Sequence, residues 1–126
     1  MLALLINPDL QDITYVRYCP EDFESHVGLL RHLVGDTFQF EHAFQNGDYL
    51  YGIDENEYDK YAIGFEMDGL TDLLCGRAVV VSFDVYSGYL KSPLTTLSEL
   101  RDKIHFYSRE ETSEIRNGEL FRLLGC

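Results

Sequence analysis

Four carboxylates stand within six residues at Asp54, Glu55, Glu57 and Asp59, with Asn56 and Tyr58 between them. Such a density of oxygens suits a divalent cation, an acid–base pair, or an acidic tip that faces a basic partner. A calcium loop of the helix–loop–helix type needs oxygen ligands at positions 1, 3 and 5, glycine at 6 and a bidentate Glu at 12. Counted from Asp54, Asn56 meets position 3, but Tyr58, Asp59 and Phe65 fall at positions 5, 6 and 12. The calcium pattern fails, and the third use is the expectation.

The other chemistry-bearing residues are sparse. His26 and His32 lie six apart on one predicted helix, which does not place them on the same face. No His-x-x-x-His or His-Glu-x-x-His occurs, so no helical zinc pair is expected. His42 interrupts a Phe-rich stripe and reads as a structural histidine, and His105 stands beside Phe106 at a helix margin. Cys19, Cys75 and Cys126 are odd in number and never spaced as Cys-x-x-Cys, so reduced thiols are expected. Neither a Gly-x-Ser-x-Gly elbow nor a glycine-rich phosphate cradle appears. The expectation is no catalytic residue, no metal and no cofactor.

Charge is the most informative feature. Residues 1–72 hold 15 acids against Arg17, Arg31 and Lys60, whereas residues 73–126 hold seven acids and seven bases. The whole net charge of -12 therefore belongs to the first part of the chain. Spread evenly over the roughly 7,000 Å² of a domain this size, those charges would sit about 24 Å apart. That is about three Debye lengths at physiological salt, so only a local cluster makes a directed field. Residues 48–72 supply one: Asp48, Asp54, Glu55, Glu57, Asp59, Glu66, Asp68 and Asp72 against Lys60 alone. A surface this acidic repels phosphates, so direct nucleic-acid binding is not expected.

The elements that position these residues follow from periodicity. With 126 residues, 45% of them apolar, the chain can bury one core. Leu2–Ile6 reads as a buried strand, Asn7-Pro8-Asp9 as a turn, and Ile13–Tyr18 as a strand paired with the first. Pro20 opens a helix, with Glu21, Asp22 and Glu24 at its positive end. Phe23, Val27, Leu30 and Val34 recur at helical spacing, and Gly35 ends that helix near 21–34.

Phe38, Phe40, His42 and Phe44 alternate onto one face, and Asn46-Gly47 predicts a two-residue hairpin. That turn sets Phe44 opposite Tyr49, His42 opposite Tyr51 and Phe40 opposite Ile53, an unbroken aromatic wall. Asp54–Asp59 then becomes the loop of a second hairpin, returning through Tyr61, Ile63, Phe65 and Met67. Leu70–Cys75 reads as a short helical turn, and Arg77–Phe83 as a central strand. Thr96-x-x-Glu99 is a capping box, with Leu97, Leu100, Ile104 and Tyr107 on one face of a helix near 96–107. Residues 108–126 are ambiguous, since Asn117-Gly118 can turn a hairpin or break a helix. The fold class is α+β: a single domain spanning 1–126, with an antiparallel-rich sheet of about five strands packed by two main helices.

Three stretches, Met1–Pro8 (MLALLINP), Arg31–Gly35 (RHLVG) and Cys75–Asp84 (CGRAVVVSFD), carry a resemblance. They resemble a family of small uncharacterised domains of phages and plasmids, domain-of-unknown-function family 3846. The resemblance covers about the first two thirds of the chain. It implies a mobile-element origin and carries no catalytic residues. The segment around Asp54–Asp59 and the tail beyond Lys91 depart from it.

Together these readings predict a non-enzymatic acidic binding protein in the cytoplasm, without a membrane span. Its partner would be a basic protein surface, such as the groove of a nuclease or another nucleic-acid-binding protein. Inhibitors that mimic nucleic acid, of the anti-CRISPR or anti-restriction kind, are the class to which the mobile-element context points. Asp54, Glu55, Glu57, Asp59, Glu66 and Asp68 would make the contacts, and Tyr58 would stack on a guanidinium. A homo-oligomeric or scaffolding domain is the alternative, using exposed tyrosines. A small enzyme with His42 or a carboxylate pair is the third reading.

Overall fold

The computed structural model describes residues 2–19, 26–60, 63–70, 72–84, 86–88 and 90–123. Along the chain these form β1 (Leu2–Asn7), β2 (Asp12–Arg17), α1 (His26–Leu33), β3 (Phe38–Ala43) and β4 (Tyr49–Ile53). A 3-10 helix (Glu55–Lys60), β5 (Gly64–Met67), β6 (Leu74–Cys75), β7 (Ala78–Phe83) and β8 (Leu90–Lys91) follow. The described chain ends with α2 (Leu97–Lys103), β9 (Ile104–Phe106) and α3 (Arg109–Leu123).

β7 is the centre of a six-stranded sheet in the order β2-β1-β7-β4-β3, with β8 pairing Ser82 and Phe83. Its Ala78, Val79 and Val80 pair antiparallel with Ile6, Leu5 and Leu4 of β1. Val79, Val80 and Val81 pair antiparallel with Tyr51, Leu50 and Tyr49 of β4. Such a strand is covered on both faces, which is why its sequence is a continuous apolar run rather than an alternation. On one face Leu29, Leu30, Leu33 and Val34 of the α1 region pack over Ala3, Ile53, Val79 and Val81. On the other, Leu4, Ile6, Leu50 and Val80 meet Phe65, Met67, Leu74 and Leu100. Each of these buried aliphatic side chains contributes about 1.5–3 kcal/mol relative to exposure. The second layer is a three-stranded sheet, β6-β5-β9. The architecture is α+β, as the sequence predicts.

The hairpin β3–β4 departs from its predicted register. Gly47 donates its N–H to the Phe44 carbonyl at 3.1 Å, and Phe44 donates to Asp48 at 2.9 Å. Gly47 has φ 93°, so the loop has three residues and ends in a left-handed glycine. Phe40 faces Tyr51 and His42 faces Leu50, with Glu41 inserted between them as a β-bulge. The bulge reverses the alternation, so the aromatic wall is split. Phe38 packs with Tyr51 on the α1 side, whereas Phe44 joins the core on the opposite side. Phe44 packs on the face of Leu50, whereas Phe38 and Phe40 lie opposite Ile53 and Tyr51 on the other, and an extra residue in β3 satisfies both.

Three further expectations are corrected. Asp54–Asp59 is not a hairpin loop: β5 pairs with β6 and β9, not with β4. Leu70–Cys75 is not a helical turn, because Leu74 and Cys75 form β6 opposite Phe65 and Gly64. The helix capped by Thr96 stops at Lys103; Ile104 bonds back to the Leu100 carbonyl and begins β9. Ile104, His105 and Phe106 then pair with Met67, Glu66 and Phe65, which fills the open edge of β5. The cap itself is as predicted, with the Thr96 hydroxyl accepting from Glu99 N–H at 3.1 Å.

Within the ambiguous tail, Arg109–Leu123 is helical. Ser108 N–H donates to Glu111 Oε1 at 3.0 Å, and Glu111 N–H donates to Ser108 Oγ at 3.1 Å, a reciprocal capping box. The helix start predicted at Pro20–Glu24, together with Tyr61 and Cys126, lies outside the described residues.

Gly64 is the tightest point of the second layer. A Cβ there would stand 2.7 Å from the Leu74 carbonyl oxygen and 3.1 Å from Leu73 Cδ1, whereas Gly28 in α1 has open space around it. Gly64→Ala is therefore expected to lower stability by about 1–3 kcal/mol. Gly28→Ala should raise it by about 0.5–1 kcal/mol. Chemical denaturation midpoints of the two variants check both signs.

Candidate functional site

Asp54 sits at the end of β4 and caps the 3-10 helix. Its N–H donates to the Thr37 carbonyl at 2.7 Å, and its Oδ1 accepts from Asn56 N–H at 3.0 Å. Its carbonyl accepts from Glu57 N–H at 2.8 Å. A short polar side chain that captures the amide two residues on is what opens such a turn. Glu57 is half-buried, and Tyr58 packs against the core on the α1 side. The ring of Tyr58 is thus partly committed to folding. The side chains of Glu55 and Asp59 lie outside the described ones.

Glu66 and Asp68 stand on the second sheet. Glu66 lies opposite His105 in the β5–β9 ladder, and Asp68 is exposed, its N–H donating to the Lys103 carbonyl at 2.9 Å. Burial pushes the Tyr107 phenol up from its ordinary value, and a hydrogen bond to Glu66 and the charges of Glu66 and Glu111 add to the rise. Glu66 is therefore engaged within the chain.

Two surfaces emerge that the predicted site residues only border. The first is a groove of about 170 Å³ lined by Glu41, Gly69, Leu70, Asp72 and Leu74. The 3-10 helix touches β6 beside it, so the acidic segment and this groove share one region of the molecule. Sequence reading missed Glu41, because it looked like the polar face of a hairpin, and missed Asp72 as a site residue because it lay in a supposed helical turn. The bulge and β6 bring them together.

The second is a cleft of about 510 Å³ between the β3–β4 loop and α2, lined by His42, Ala43, Phe44, Gln45, Asn46, Thr95, Glu99 and Lys103. Its floor is Phe44, with the His42 ring edge-on at 5.3 Å and the Lys103 ammonium 5.3 Å above the Phe44 ring. Its walls are tied by Asp48, a carboxylate with no exposed surface. Asp48 Oδ1 accepts from Leu94 N–H at 3.0 Å, and Oδ2 accepts from Thr95 N–H at 2.7 Å and from the Thr95 hydroxyl at 2.6 Å. Asn46 Nδ2 donates to Thr95 Oγ1 at 3.1 Å. One of the eight acids counted in residues 48–72 is thus a structural strut rather than surface charge.

Among the described residues, no three His, Cys, Asp or Glu side chains are grouped so as to hold a metal ion. Cys19 is exposed and Cys75 is buried, and neither forms a disulfide among the described residues. No helix among the described residues is long and apolar enough to cross a membrane. Comparison with family models, with curated proteins and with solved structures returns no match.

Two outcomes are expected. Asp48→Ala would strand two backbone N–H groups and a hydroxyl, costing about 3 kcal/mol or more in a denaturation experiment. The Tyr107 phenol, raised in the folded state, stabilises the fold below its unfolded pKa and loses that contribution as pH rises through its folded pKa. Glu66→Gln should lower the Tyr107 midpoint in an ultraviolet difference titration, while Glu114→Gln should leave it in place.

Proposed function

We propose that this chain is a non-enzymatic binding domain that presents an acidic face to a basic protein surface. The reading is supported by one observation above the rest: Glu41 and Asp72 line a single groove beside the 3-10 helix that carries Glu57. Asp68 precedes Gly69 of the groove and Asp54 precedes the 3-10 helix, in a chain whose net charge is -12. Clustered carboxylates meeting Lys and Arg displace the counterions of a nucleic-acid groove by the same logic as phosphates. The finer reading is an inhibitor borne by a mobile element and working in the cytoplasm, where it occupies the groove of a host or defence nuclease. That context comes from the resemblance of Met1–Pro8, Arg31–Gly35 and Cys75–Asp84 to phage and plasmid domains.

A second reading, a homo-oligomeric or scaffolding domain, is favoured by exposed apolar side chains. Tyr86 is 98% exposed, Leu94 68% and Phe40, on the edge strand β3, 53%. A salt-insensitive dimer in sedimentation would select it.

The decisive experiment captures partners from a host lysate at low salt and elutes them by raising it. A basic nucleic-acid-binding protein that elutes with salt, and that duplex DNA displaces, is the expected result. Asp54→Asn, Glu57→Gln, Asp68→Asn and Asp72→Asn together should reduce the salt slope of its binding by about one for each carboxylate neutralised. Asn retains the Asp54 cap, so folding is preserved. Binding with an unchanged salt slope would refute the proposal.

A further inference from the structure

The cleft between the β3–β4 loop and α2 plays no part in the acidic face, yet it has the attributes of a small-molecule site. Its size, about 510 Å³, falls in the range of ligand clefts. Its walls are rigidly joined, because the buried Asp48 carboxylate and the Asn46–Thr95 bond fasten the hairpin loop to the segment that enters α2. A cleft held open by buried hydrogen bonds does not have to be ordered again when a ligand enters.

The lining side chains divide into two groups. Asn46 and Thr95 are spent on that fastening. Glu99 and Lys103 have exposed, opposite charges one turn apart on α2, and among the described residues neither has an ion-pair partner. Residues at this spacing share one helix face. Beneath them the His42 ring stands edge-on to Phe44, whose own ring is nearly buried and lies under the Lys103 ammonium. The cleft therefore offers an anionic acceptor, a cationic donor and a ring surface, all within one helical turn.

We infer that this cleft binds a free α-amino acid with an apolar side chain. The ligand ammonium meets Glu99, its carboxylate meets Lys103, and its side chain lies against His42 and the edge of the Lys103–Phe44 stack. A ligand bearing both charges makes two charge-assisted contacts where a singly charged ligand makes one, and that difference is the discrimination expected. His42, half-buried at the cleft wall, offers a further ring nitrogen to the carboxylate.

The test is an amide chemical-shift titration of the full chain with phenylalanine, N-acetylphenylalanine and phenylalaninamide. Saturable shifts confined to residues 42–46 and 95–103 are expected with phenylalanine. Each blocked derivative should bind about tenfold more weakly, the worth of one charge-assisted hydrogen bond. Lys103→Gln should erase the difference between phenylalanine and its amide, and Glu99→Gln the difference between phenylalanine and its N-acetyl form. Both side chains are exposed, and circular dichroism confirms that each variant is folded. The inference is overturned if phenylalanine gives no saturable shifts, if the shifts map elsewhere, or if the blocked forms bind as tightly as the parent. Neutralising Asp54, Glu57 and Asp72 should leave this titration unchanged, which separates its outcome from that of partner capture.

Discussion

Asp48 is a carboxylate with no contact with water, and the arrangement of the hairpin side of the molecule follows from how its charge is met. A buried carboxylate is tolerable only when its oxygens are hydrogen-bonded. Two backbone N–H groups and a hydroxyl, all from Leu94 and Thr95, converge on it. The three-residue loop with its left-handed Gly47 places Asp48 where it can receive them. A two-residue turn would move Asp48 out of its place opposite Phe44. The loop, the entry to α2 and the cleft between them are thus one construction, built around a single desolvated charge.

The bulge at Glu41 is the second constraint, and it shows why part of the fold was not legible in the sequence. Phe38, Phe40, His42 and Phe44 alternate without a break, so pattern alone assigns them to one face. The reversal arises because Phe44 is drawn into the core under Leu50 and Leu100, while Phe38 is drawn towards α1. That competition exists only after the two layers form. β1, β2 and β7 were legible because burial on one or both faces leaves its mark on every residue of a strand. The Thr96 cap was legible because its hydrogen bond is local.

The boundary at Lys103 failed for a related reason. Leu97, Leu100, Ile104 and Tyr107 fit a helical face, but Ile104, His105 and Phe106 also alternate as a strand. The vacant edge of β5 decided between the two, and no local signal reports a vacant edge. The second capping box, Ser108 to Glu111, was present in the sequence and obscured by Asn117-Gly118, which α3 accommodates within its length. Of the candidate site, the carboxylate density was legible. Its partition was not: Asp48 turns inward, Glu66 bonds Tyr107, and Glu41 joins from β3.

That partition bears on how the acidity acts. A net charge of -12 is an aggregate, and groups that are buried or engaged within the chain contribute less to the field outside than those at the rim of a groove. Asp48 and Glu66 are of that kind, and so is Glu41, which is half-buried and accepts from Gln39 Nε2 at 2.8 Å. Glu41 lines the acidic groove, and its neighbour His42 lines the cleft. The extra residue in β3 sets Glu41 against Gly52 and His42 opposite Leu50, two positions on one face of β4, so these adjacent side chains line neighbouring depressions on the same side of the sheet. The two depressions also meet through the backbone, where Asp68, next to Gly69 of the groove, donates its N–H to the carbonyl of Lys103 in the cleft at 2.9 Å.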